Sequence, residues 1–123
     1  SYLTGEDVPE SVGRRRPIAV MLGNDTNGAP QSGTGNAGVI YEAPVEGGIT
    51  RLMAVIEDYD NLQRIGSVRS CRDYFLFYAN EYDAILFSLW TGCICTSVSG
   101  PAPDRQSERT LHLEMLTIAA QTV

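Results

Sequence analysis

Lysine is absent from this 123-residue chain, so all nine of its basic residues are arginine. A lysine-free chain has no Schiff-base amine and no lysine nucleophile, and it cannot carry a Walker-type phosphate loop. Histidine and tryptophan occur once each, as His112 and Trp90. The three cysteines, Cys71, Cys93 and Cys95, are an odd number with a C-x-C spacing, which predicts neither a zinc site nor a disulfide framework. No apolar run approaches the ~18 residues of a membrane-spanning helix, and no signal peptide is visible in the sequence. With a net charge of −6 and a pI near 4.6, nucleic acid is not the expected partner. The length allows one domain with a modest core.

What is present centres on Val39 to Arg72. Val39–Glu46 and Ile49–Ile56 are strand-like runs separated by Gly47-Gly48, which predicts a β-hairpin with a two-residue turn, since glycine accepts positive φ. That register opposes Glu46 to Ile49, Pro44 to Arg51 and Glu42 to Met53. It places Tyr41, Ala43, Val45, Thr50, Leu52, Ala54 and Ile56 on a core face. Glu42, Glu46 and Arg51 share the other face, either as a solvated surface with a weak ion pair or as part of a site. A slip of one residue would exchange the faces.

Ser70-Cys71-Arg72-Asp73 has capping-box spacing, with Ser70 at N-cap and Asp73 at N3, and predicts a helix from Ser70 to about Asn80. Cys71, Phe75, Tyr78 and Tyr82 recur at helical spacing toward the core. Arg69 and Arg72 then lie at a helix N-terminus that is already electropositive and is better served by acidic residues. Their presence calls for a negative group opposite, either Glu42 or Glu46 within the chain, or a phosphate or carboxylate ligand. The candidate ligand-binding residues are therefore Glu42, Glu46, Arg51, Arg69, Ser70 and Arg72. No catalytic residue, metal ligand or cofactor is assigned.

Residues 1–16 form a polar leader expected to be extended. The Arg14–Arg16 run in it reads either as a solvated edge or as a contact for anionic lipid or wall polymer. Pro17 opens PIAVML, an apolar run suited to a buried strand. Asn24–Gly38 is a Gly-, Asn- and Ser-rich loop matching no nucleotide-binding spacing, and Glu57–Asn61 is an acidic turn without the spacing of a calcium loop. AILFSLW reads as a central strand. The fold class is α/β in the α+β sense: a mixed β-sheet with a β-hairpin and helical cover, as an incomplete domain.

Three stretches, TGEDV…RRRPIAVMLGN, PQSGTGNAGVIYEAPVEGGITRLMAVIED and RIGSVRSCRDYFLFYANEYDAILF, together resemble the N-terminal domain of the YerB-like lipoprotein family, a bacterial domain of unknown function. The likeness runs from Leu3 to Phe87, so residues 17–87 are read as the domain core. Motif positions include Arg16, Pro17, Asn24, Pro30, Gln31, Ser32, Tyr41, Glu42, Glu46, Gly47, Gly48, Thr50, Arg51, Gly66, Arg69, Ser70, Arg72 and Tyr82. The resemblance implies an extracytoplasmic lipoprotein with a mixed α/β N-terminal domain and a separate C-terminal domain. Its membrane attachment would be a lipid anchor absent from this chain, and no activity or cofactor is implied. Family members would continue after Phe87 with a segment like Gly-Gln-Ala-Val-Tyr-Ala, whereas this chain diverges over 88–123. Written TGG-ACA-GGC-TGT-ATA-TGC, Trp90–Cys95 shifted by one nucleotide encodes that very segment, so the tail is expected to be either out of frame or a divergent end. His112 with Cys93 or Cys95 is not taken as a nucleophile pair, and Thr110–Ala120 has an amphipathic helical pattern.

Two function classes follow. The favoured one is a non-catalytic binding module for an anionic or glycan envelope ligand, or for an envelope protein. The alternative is a hydrolase or transferase acting on envelope glycans with Glu42 and Glu46 as its acid/base pair. Residues i and i+4 of one strand are roughly 13 Å apart, wider than the ~5–9.5 Å of glycosidase carboxylates, which weighs against the alternative.

Overall fold

A computed structural model describes residues 1–89. The PIAVML run forms β1, Ile18–Gly23, with all six residues buried. It lies between β3, Thr50–Ile56, which is antiparallel to it, and β4, Ile85–Phe87, which is parallel. β2, Val39–Pro44, pairs antiparallel with β3, giving the order β2-β3-β1-β4. The helix α2 spans Asp73–Glu81, and a short helix α1 covers Glu10–Gly13. This is the expected mixed sheet with helical cover.

An unbroken apolar strand suits a position buried on both faces, and β1 feeds two cores. Ile18, Val20 and Leu22 join Ala54, Ile56, Ile85 and Phe87 under Leu62 and Ile65 of the β3–α2 connection. Ala19 and Met21 join Met53, Val55 and Leu86 under Phe75 and Ala79 of α2. Tyr78 and Tyr82 pack at the margin of that second core, as their helical spacing requires, and Cys71 joins them from the segment just before α2. The Tyr41 ring of β2 stacks on Tyr78 with centroids 4.7 Å apart, and its hydroxyl lies 2.9 Å from that of Tyr82.

The hairpin register differs from expectation by one residue. Its loop is Glu46-Gly47-Gly48, closed by the Val45 amide donating to the Ile49 carbonyl at 2.9 Å, with Gly47 and Gly48 both at positive φ. Pro44 therefore opposes Thr50, Ala43 opposes Arg51, and Glu42 opposes Leu52. Tyr41, Ala43 and Val45 stay on the α2 side with Met53 and Val55, while Leu52, Ala54 and Ile56 serve the opposite core. Because β3 is apolar on both faces, burial alone did not fix its register.

Three smaller differences accompany it. α2 begins at Asp73, with Arg72 in extended geometry at N-cap and no side-chain cap, because the Ser70 hydroxyl is engaged by arginines instead. Among the described residues β4 ends the strand order rather than lying centrally. In the leader, expected to be extended, α1 buries Val12, and the Ser1 hydroxyl and Tyr2 amide donate to the Glu57 carboxylate. Everything read from Trp90 onward, including Cys93, Cys95 and His112, lies outside the described residues.

Candidate functional site

β1 and β4 run parallel, and the polar loops cluster beyond their carboxyl ends, where open α/β sheets commonly present ligand-binding groups. Strand pairing brings Arg51, near the start of β3, opposite Gly23 at the end of β1. The segment Ser67–Arg69 runs beside β1. The Gly23 amide donates to the Ser67 carbonyl and the Arg69 amide to the Met21 carbonyl, both at 2.9 Å. This leads the chain directly into Ser70-Cys71-Arg72 and α2, so backbone pairing gathers three arginines at one end of the sheet.

Each guanidinium is held differently. Arg51 is half-buried and donates through Nη1 to the Ser70 carbonyl and, at 3.1 Å, to the Ser70 hydroxyl. Arg72 donates Nη1 to the same hydroxyl at 3.2 Å and to the Cys71 carbonyl at 2.8 Å. Its Nε and Nη2 form a fork on the Glu46 carboxylate at 2.7 and 2.6 Å. Arg69 lies across Gly23, its Cγ and Nε 3.1 Å from where a β-carbon would stand, so a larger residue there would press on the Arg69 side chain. Its closest carboxylate oxygen, on Asp25, is 3.7 Å away.

The electrostatics follow from this arrangement. Hydrogen bonds from Arg72 hold the Glu46 carboxyl down at about 2, helped by the loop's own amide. Glu46 in turn raises Arg72. Arg51 is pushed below the usual guanidinium range, first by burial and then by the charges of Arg72 and Arg69. It remains a cation, because arginine does not deprotonate in proteins. Among the described residues no carboxylate is hydrogen-bonded to Arg51. The Ser70 oxygen accepts from two arginines, which leaves its own proton to donate.

Five of the six residues singled out in the sequence converge here: Glu46, Arg51, Arg69, Ser70 and Arg72. Glu42 does not. It stands on the opposite face of the hairpin, accepting from Thr50 at 2.6 Å and from Asn24 at 3.1 Å. The glycine loop turns Glu46 toward α2, away from Glu42, so the two carboxylates cannot act as one acid/base pair. Sequence reasoning missed Tyr74, whose hydroxyl donates to the Pro44 carbonyl at 2.5 Å beside the arginines. It also gave no site role to Asp25, to Gln31, which donates to the Gly23 carbonyl at 2.5 Å, or to Ser67, whose buried hydroxyl has no hydrogen-bond partner among the described residues. Gln31 stood among the family-motif positions, which was the available signal.

A cleft of about 700 Å³ lies elsewhere, lined in part by Tyr2, Arg14, Glu57 and Tyr82. Its arginines are already paired: Arg14 with Glu10, Arg15 with Asp58 and Asp60, Arg16 with Asp83. The Arg14–Arg16 run is thus an internally paired edge. Among the described residues no group of His, Cys, Asp or Glu is arranged to hold a metal, and no helix is long and apolar enough to cross a membrane.

By architecture this is an α+β domain with three arginines gathered at one sheet end, incompletely neutralised among the described residues. The chain belongs to the family described as the N-terminal domain of a protein of unknown function (DUF3048), which it matches over residues 3–89. It is 40% identical over 83 residues to the "Putative lipoprotein YerB" of Bacillus subtilis (strain 168), a match covering 68% of this chain and 25% of that protein. The crystal structure of the YerB protein from Bacillus subtilis superposes with a TM-score of 0.66 at 38% identity, covering 70% of this chain and 29% of that one. The chain thus spans about a quarter of the length of the relative it matches.

Proposed function

We propose that this domain is a non-catalytic binding module of an extracytoplasmic lipoprotein, holding an anionic envelope ligand at Arg51, Arg69, Arg72 and Ser70. The anion is a carboxylate or phosphate carried on a glycan or other envelope polymer. The observation that carries the reading is the charge imbalance. Three guanidiniums meet at one sheet end, and among the described residues only Arg72 has a carboxylate within hydrogen-bonding distance, Arg69 standing 3.7 Å from Asp25. Guanidinium forks match carboxylate and phosphate geometry, and partial burial strengthens their attraction for an anion. The Ser70 proton adds a neutral donor. The lipoprotein name of the Bacillus subtilis relative supports an envelope location, with membrane attachment through a lipid anchor of the longer protein.

The glycan hydrolase or transferase alternative is not retained, because its two carboxylates face different sides of the hairpin. Calorimetric titration of the full chain with glucuronate and with inorganic phosphate tests the binding reading. Saturable binding of either probe, lost in an Arg51→Ala/Arg69→Ala double variant that melts like the parent, is the expected result. Equal heats from parent and variant would remove the site.

A further inference from the structure

The fork that Arg72 offers is already filled, and by a carboxylate that little else secures. Glu46 lies in a three-residue loop whose glycines, Gly47 and Gly48, have open space around them. Its side chain is 70% exposed. Beyond the fork on Arg72, no side chain is hydrogen-bonded to its carboxylate among the described residues. An exposed ion pair of this kind contributes little to stability. Arg72, by contrast, is also anchored through its other nitrogen, Nη1, by the Ser70 hydroxyl and the Cys71 carbonyl. The fork persists; its occupant is replaceable.

We propose that Glu46 is an internal surrogate for the ligand, occupying Arg72 in the free chain and displaced when an external anion takes the same fork. This rests on the binding reading above and adds its regulation. A carboxylate or phosphate presents the two oxygens that Glu46 now presents, and it can reach Arg51 at the same time. Arg51 and Arg72 lie on either side of the Ser70 hydroxyl, which both already contact. Glu46, tied to its loop, hydrogen-bonds Arg72 alone among the described arginines. A ligand whose anionic oxygens reach both Arg72 and Arg51 therefore outcompetes Glu46, while one that contacts Arg72 alone trades one fork for an equal one. The glycine loop lets the displaced side chain swing away without disturbing β2 or β3, because the hairpin is closed below it by the Val45–Ile49 hydrogen bond.

Internal competition lowers apparent affinity by the fraction of time the fork is open. The test is amide NMR titration of the full chain, of Glu46→Gln, and of Glu6→Gln as a control of equal charge change outside the cluster, each with inorganic phosphate and with glucuronate. Glu46→Gln should bind phosphate about three- to tenfold tighter than the parent, and Glu6→Gln should match the parent. In the parent, phosphate should shift the Gly47 and Gly48 amides as Glu46 leaves.

Unchanged or weaker binding by Glu46→Gln, with Arg51→Ala still abolishing binding, would overturn the surrogate role and leave the binding reading standing. Equal tightening by Glu6→Gln would reduce the effect to general charge and overturn the role as well. Absence of saturable binding in both the parent and Glu46→Gln would overturn role and reading together.

Discussion

Arg51 and Arg72 share a single acceptor, the Ser70 hydroxyl, at 3.1 and 3.2 Å. Two like charges are thereby fixed side by side, one on a strand and one at a helix start, with a serine between them. Oxygen has two acceptor sites, and both are used. The arrangement is tolerable because Arg51 also reaches the Ser70 carbonyl and Arg72 the Glu46 carboxylate.

Ser70→Ala should therefore do two things. It removes two hydrogen bonds from charged donors, which should lower stability by about 1–2 kcal/mol in denaturant unfolding. It also removes the free proton and the spacer between the guanidiniums, so phosphate binding should weaken in the same variant. A variant with parental stability and parental binding would show that the hydroxyl positions neither arginine.

Glu42 makes the complementary case. Its carboxylate is occupied by Thr50 and Asn24 on the far face of the hairpin. Glu42→Gln should leave phosphate affinity within about twofold of the parent, as expected for a site with no shared partners. A large loss would return Glu42 to the arginine site.

The acid limb of stability carries a sign that follows from Glu46. Its carboxyl sits at about 2 in the folded chain against an ordinary 4.5. A depressed folded value means that the Arg72–Glu46 contribution is fully present above about 4.5 and is lost as pH falls through about 2. Carboxyl NMR titration should give Glu46 a midpoint well below the ordinary range, and Arg72→Ala should return it toward 4.5. An ordinary midpoint in the parent would mean that the fork is not formed in solution.

Core and surface of α2 separate cleanly. Phe75 is fully buried against Met21, Met53 and Leu86, whereas Phe77, two residues on, is 72% exposed. Phe75→Ala should cost about 3–5 kcal/mol and Phe77→Ala no more than about 0.5 kcal/mol. Comparable losses, measured by thermal or urea unfolding, would contradict the placement of the helix.

The strands and helix were legible because their signals were local. Six consecutive buried positions made β1, and the Phe75–Tyr78–Tyr82 spacing made α2. What failed depended on competition between groups distant in sequence. The register slipped because Leu52, Ala54 and Ile56 find a core on one side of the sheet while Met53 and Val55 find another, so either pairing buries apolar surface. Ser70 was read as a cap because nothing local announces that Arg51, nineteen residues away, reaches its hydroxyl. Within the site, Arg69 and Arg72 were conspicuous because they defy the helix dipole. Tyr74 was invisible because its partner is a carbonyl across the hairpin.

The proposal that the tail is out of frame is decided outside the protein. The family match ends at residue 89. The proposed frame change predicts that the gene writes Trp90–Cys95 as TGG-ACA-GGC-TGT-ATA-TGC. Any codon set that does not yield Gly-Gln-Ala-Val-Tyr-Ala one nucleotide on would leave a divergent end as the explanation.

The central claim is that the three arginines at the end of the sheet take one anion together. The direct measurement follows the side-chain Nε–Hε NMR signals of all nine arginines of the full chain during titration with inorganic phosphate. Arg51, Arg69 and Arg72 should shift and saturate with one shared dissociation constant, while Arg14, Arg15 and Arg16, paired with their own carboxylates, stay in place. Uniform, non-saturating drift of all arginines, or saturation at Arg14–Arg16 instead, would contradict the account.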